Sequence, residues 1–134
     1  MTALISGEVA MLFDTPPTLI PQVKAGKARA IVVCSSKRSP GMPDVPTMPE
    51  SGFPDFDAGS FAAVLAPAKT PKEIVQKLNA EIVRILHMPA VQDRLLSMGA
   101  DIVGSTPAEF SAHIKAELEK YARVIKAAGI PRIE

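Results

Sequence analysis

Apolar and polar residues along this chain of 134 residues group into short runs with sharp edges. Residues 9–13 (Val-Ala-Met-Leu-Phe) form an unbroken apolar run between Gly7-Glu8 and Asp14-Thr15-Pro16-Pro17. Such a run predicts a strand buried on both faces, as parallel sheets require. The stop behind it predicts a helix start. Thr15 can cap, Pro16 or Pro17 can occupy the first turn, and Leu19, Ile20 and Val23 fall on one side. Gly26 supplies the C-terminal stop, and Lys24 sits in the last turn where the helix dipole favours a cation. A second apolar run, residues 28–34, is rich in β-branched side chains. Strand, helix and strand within about thirty residues predict a right-handed βαβ unit with parallel strands.

Residues 37–60 break the pattern. Pro40, Pro43, Pro46 and Pro49 recur at intervals of three, and Gly52, Pro54 and Gly59 follow. Each proline fixes φ and disfavours helix at the residue before it, so the stretch is expected to be extended and irregular. A connector of this length marks a crossing between lobes or a functional loop. Residues 61–66 then predict a third strand, closed by Pro67. Thr70-Pro71-Lys72-Glu73 predicts a helix with a capping box, carrying Ile74, Val75, Leu78, Ile82, Ile85 and Leu86 as an apolar stripe until Pro89. A shorter helix over about 90–98 ends at Gly99, and residues 101–103 suit a brief strand. The start signal recurs as Thr106-Pro107-Ala108-Glu109. It opens a last helix with Phe110, Ile114, Leu118, Tyr121 and Ile125 near one face and Gly129 as terminator.

Composition narrows the class. The chain is 47% hydrophobic and 22% charged, with 15 basic against 14 acidic side chains and a net charge of +1. That balance argues against a nucleic-acid binder, which concentrates excess Lys and Arg on one face. Aromatics at 4%, with no Trp, argue against a base-stacking platform. The apolar runs fall far short of the ~20 residues that cross a bilayer. Met1 to Glu8 has no early positive charge, and Glu8 interrupts it, so no secretion signal is expected there. A single cysteine, Cys34, cannot form an internal bridge.

Candidate chemistry is sparse. His87 and His113 have no Cys or His at metal-ligand spacing and are expected to be surface or packing residues. Cys34 ends an apolar strand, where a free cysteine behaves as a small hydrophobe. The glycines are scattered as turns and helix ends rather than gathered in a phosphate loop. Asp55 and Asp57 lie in the irregular stretch as loop carboxylates. No catalytic residue, metal site or cofactor is therefore assigned, and the chain is not expected to be an enzyme. Asp14 stands apart, because it follows a buried parallel strand at the carboxyl edge of the sheet, where open α/β folds bind ligands. The helix beginning at Pro16–Thr18 is expected to aim free N–H groups at the same crevice. Asp14 suits a ligand ammonium or hydroxyl on one reading, and is a plain turn carboxylate on the other.

Lys37-Arg38-Ser39-Pro40, then Met42-Pro43-Asp44-Val45-Pro46-Thr47 and Glu50-Ser51-Gly52-Phe53, resemble the central signature of the Bug family. These are the extracytoplasmic solute receptors of tripartite tricarboxylate transporters. Gly7-Glu8-Val9 through Asp14, Gly26-Lys27-Ala28-Arg29-Ala30, Ala66-Pro67-Ala68-Lys69-Thr70-Pro71, Leu78-Asn79 and Ala127-Ala128-Gly129-Ile130 match flanking blocks, so the likeness runs over essentially the whole chain. The resemblance implies an α/β, periplasmic binding protein-like (flytrap) fold, of which this is the C-terminal portion. Two lobes of that fold close around a small organic carboxylate. Residues 1–36 would hold the βαβ part of the second lobe, 37–60 the Pro-rich inter-lobe connector, and 61–134 the strand and helices of the first lobe. Carried over by position, Asp14 and Thr15 fall on the strand-end loop facing the cleft, and Ser60 and Phe61 where the return strand passes the pocket. Phe61 stands where the family often has Trp, which keeps an aromatic wall without an indole donor. The implied partners are the carboxylate and membrane transporter subunits, and the implied location is the periplasm. The family protein is more than twice this long, which implies self-association or pairing with a separate N-terminal half. A ligand-free interaction or dimerisation module is the alternative function.

Overall fold

The computed structural model describes residues 1–131. Its elements are α1 (Thr2–Ile5), α2 (Pro16–Lys24), a 3₁₀ turn (Pro49–Ser51), α3 (Lys72–Leu86), α4 (Pro89–Ser97) and α5 (Pro107–Ala127). The chain divides into two compact units. Met1–Leu65 join Leu86–Val103 in one, and Ala66–Ile85 join the chain from Gly104 onward in the other.

The helices follow the local signals. Thr106 caps α5: its Oγ1 accepts from the Glu109 N–H at 3.2 Å, and the Glu109 carboxylate accepts from the Thr106 N–H at 2.8 Å. The Thr106 N–H, and after it the Thr106 hydroxyl donating to the same carboxylate at 2.8 Å, hold the Glu109 carboxyl below its ordinary value. The matching tetrapeptide at Thr70–Glu73 does not cap α3, contrary to expectation. The Thr70 N–H closes a turn onto the Pro67 carbonyl at 2.9 Å, and the first helical bonds run to Pro71 instead. That turn holds Thr70 one residue outside the helix. Helices α2, α4 and α5 share one ending, in which paired bonds run back from the glycine and from the residue after it. At α5 these are Gly129 to Lys126 at 3.3 Å and Ile130 to Ile125 at 3.2 Å. Asn79 on α3 donates to the Ser105 carbonyl at 2.9 Å, tying α3 to the residue before the α5 cap.

The expected strands do not form a sheet. Among the described residues the sole β pairing is a single parallel bridge between Val33 and Thr47. Residues 9–13 and 28–34 flank α2 as anticipated, but they form no ladder, so the βαβ unit is not closed. Residues 61–66 and 101–103 likewise join no β ladder. Parallel strands depend on a neighbour at each side and on helices over both faces. Here Met11, Phe13 and Ile31 are exposed, so neither requirement is met within this chain.

The Pro-rich stretch is more ordered than its composition suggests. Val33 donates to the Pro46 carbonyl at 2.8 Å and accepts from the Met48 N–H at 3.0 Å, seating residues 46–48 beside it. Buried Thr47 and exposed Glu50 then repeat the capping-box pattern around the 3₁₀ turn. The Thr47 N–H donates to Glu50 Oε2 at 2.8 Å, and the Glu50 N–H donates to Thr47 Oγ1 at 3.3 Å. Arg38 completes a clamp: Nε donates to both Glu50 oxygens at 3.1 and 2.9 Å, and Nη1 to the Pro43 carbonyl at 2.9 Å. The Arg38 hydrogen bond and then the Thr47 N–H hold the Glu50 carboxyl below its ordinary value, while Glu50 raises Arg38.

In the same unit Ile20 is the buried apolar side chain, 2% exposed. A Cβ placed on Gly41 would lie 2.5 Å from Ile20 Cδ1, and one on Gly99 would lie 2.6 Å from it. Backbone at two glycines thus closes over one side chain, joining α2, the Pro-rich stretch and the turn after α4.

Two outcomes are expected from these local structures. In urea unfolding, Thr106→Ala should lose about 1 kcal/mol, whereas Thr70→Ala should change stability by less than about 0.5 kcal/mol. Equal losses would show that Thr70 caps as well. Glu50 titrates below the ordinary carboxylate value of 4.5 in the folded chain, so its clamp contributes fully above that pH and is lost as the pH falls through the lowered value. The Thr47 amide resonance should report that acid step, and Glu50→Gln should abolish it.

Candidate functional site

The turn into α2 carries the first pair of candidate residues. Asp14 and Thr15 are both exposed. Asp14 Oδ1 accepts from the Thr15 N–H at 2.7 Å. Thr15 is the N-cap residue with φ −80° and ψ 149°, but its side chain makes no cap bond. Its Oγ1 instead lies 3.3 Å from the Thr18 hydroxyl.

The free N–H array expected at this helix start is absent. Pro16 and Pro17 have no amide hydrogen, and the Thr18 and Leu19 N–H groups both donate to the Thr15 carbonyl, at 3.0 and 3.2 Å. What the turn offers is one carboxylate and two hydroxyls. A carboxylate accepts from a ligand ammonium or hydroxyl, and hydroxyls can donate to a ligand oxygen.

Ser60 and Phe61 belong to the same unit on a different segment, and both are exposed. The approach to them is pinned where the Ala58 N–H donates to the Cys34 carbonyl at 2.8 Å. Gly59 passes so close to Ser35 that a Cβ there would meet the serine Cβ at 3.4 Å. Among the described residues no hydrogen bond joins Asp14 or Thr15 to Ser60. The structure therefore brings Asp14 and Thr15 together, and Ser60 with Phe61, as two pairs. A shallow apolar bowl of about 390 Å³ lies elsewhere, lined by Gly52, Phe53, Pro54, Asp55 and Phe56.

Thr18 joins the site as a residue the sequence did not single out. Its signal was the i, i+3 spacing from Thr15, which puts two hydroxyls on one side of a first helical turn. His113 faces the Phe110 ring on α5 with centroids 6.3 Å apart. Cys34 is a half-buried free thiol. Among the described residues no group of three or more His, Cys, Asp or Glu side chains could hold a metal ion, and no helix is long and apolar enough to cross a membrane.

Comparison with known proteins places the chain in a family. Residues 1–130 match the tripartite tricarboxylate transporter family receptor. The chain is 35% identical over 126 residues to BugT of Bordetella pertussis, covering 94% of this chain and 39% of that protein. It thus spans about two fifths of the length of that curated relative. The structure of Rpa4515 from R. palustris with adipate superposes with a TM-score of 0.89 at 32% identity, covering 98% of this chain and 44% of that one. The periplasmic binding protein BugD superposes with a TM-score of 0.76 at 35% identity, over 84% of this chain and 38% of its own. The chain belongs to the tripartite tricarboxylate transporter receptors, the Bug family, and has a periplasmic binding protein-like fold over the part of their length that it spans.

Proposed function

We propose that this chain is part of a periplasmic receptor that captures a small organic carboxylate for a tripartite transporter. The observation that carries this is the polar turn at Asp14–Thr18, exposed on a chain whose family is one of solute receptors. In this reading the Thr15 and Thr18 hydroxyls donate to a ligand carboxylate. Asp14 accepts from a hydroxyl or ammonium on the ligand, Ser60 adds a further hydroxyl, and Phe61 supplies an apolar wall. The adipate in the Rpa4515 structure fits this ligand class. No reaction is assigned, because capture needs only binding and release. Membrane transporter subunits are the proposed downstream partners.

A second reading has its own observation. Phe13, Val64 and Leu65 are 69, 73 and 75% exposed on segments that join no β ladder. Such segments invite pairing with a second strand, either from another copy or from the remainder of a longer receptor. In that case the chain is an interaction module without a ligand.

Calorimetry against dicarboxylates of four to six carbons, with and without hydroxyl or amino substituents, separates the two. Saturable binding is expected, and Asp14→Ala should weaken the substituted ligands about tenfold while affecting adipate less. Silence across the whole panel favours the module, and an equal loss for all ligands removes Asp14 from donor recognition.

A further inference from the structure

We infer that the Ser39 hydroxyl is a built-in weak point beneath α2, which lets that helix leave its seat locally without unfolding the rest of the chain. Ser39 is 5% exposed, and its Oγ is buried with no hydrogen-bond partner. Its position under the first turn of α2 follows from the crowding around Gly99. A Cβ there would lie 2.8 Å from Ser39 Oγ, 2.9 Å from Pro16 Cβ and 2.6 Å from Ile20 Cδ1. The unpaired hydroxyl is therefore packed into the same seat that receives Pro16 and Ile20.

A buried hydroxyl that has given up water without gaining a partner penalises the packed state. Lifting α2 away returns the hydroxyl to water and removes that penalty, so the open form gains relative to the closed one. The helix itself offers little resistance. Three of its nine residues are prolines, and Pro21 inside it lacks the N–H that would bond the Pro17 carbonyl. Ile20 is its one buried side chain, and the orphan hydroxyl lies in the same seat. The opening also frees the Asp14–Thr18 turn. That consequence rests on reading the turn as ligand-facing, while the opening itself does not.

Amide hydrogen exchange on the chain, with no ligand added, tests this. Ser39→Ala keeps the seat filled and removes the orphan group. The Leu19, Ile20, Gln22 and Val23 amides should then exchange about tenfold more slowly, with the α5 amides unchanged. Ser36→Ala, at an exposed serine nearby, should alter neither. Unchanged or faster exchange in α2 would overturn the proposal, because Ser39 would then have a stabilising partner. Equal slowing in α2 and α5 would overturn it too, since the penalty would fall on the whole fold. Neither result depends on carboxylate binding, so this test fails separately from the receptor reading.

Discussion

Close approach of backbone to one side chain organises the larger unit. Ile20 is gripped between Gly41 and Gly99, and neither position has room for a Cβ. Gly99 also has φ +77°, a conformation that L side chains rarely adopt. One residue therefore ends α4, turns the chain and admits Ile20. Because Pro16 touches the same spot one helical turn earlier, the seat sets the orientation of α2. It thereby sets where Asp14, Thr15 and Thr18 point. The Arg38–Glu50–Thr47 clamp orders the other side of this arrangement, holding the chain that leads from Ser39 and Gly41 to Thr47.

Helices were legible in the sequence because their signals are local. Glycine after Lys24, Ser97 and Ala127 marked three helix ends, and Thr106-Pro107 marked a start. A tetrapeptide alone is still not decisive, as Thr70 shows. Its amide is claimed by the preceding Pro67 turn, and the cap moves to Pro71. Strands were less legible because pairing is non-local. An apolar run says that a segment prefers burial, not that a neighbour exists in the same chain. The Pro-rich stretch erred the other way. Among its prolines stands the Thr47-x-x-Glu50 spacing, the same capping pattern used at Thr106.

The candidate site was legible in its residue types and less so in its chemistry. Asp14 and Thr15 do meet at the entrance to α2, but the helix cannot present amides to an anion. The two prolines that make the start easy to recognise are the reason those amides are missing or already bonded. The same sequence feature that predicted the element thus removed the property expected of it. What this turn exposes is side-chain chemistry, one carboxylate and two hydroxyls, rather than backbone amides.

Local self-sufficiency differs among the helices, and the difference bears on function. Helix α5 has 21 residues, a two-sided cap at its start and paired bonds at its end, so its backbone is satisfied with little help from packing. Helix α3 has 15 residues with Ile74, Leu78 and Ile85 about half exposed, so its stripe is only partly covered within this chain. Helix α2 is the least autonomous: it is short, proline-interrupted and without a side-chain cap bond. A receptor must change shape to admit and release its ligand, and such changes draw on the parts of a fold held by the fewest contacts. The polar turn sits on α2 rather than on α5, and so on the helix with the least backbone support of its own. Within its own unit, α2 is seated through one buried apolar side chain, Ile20.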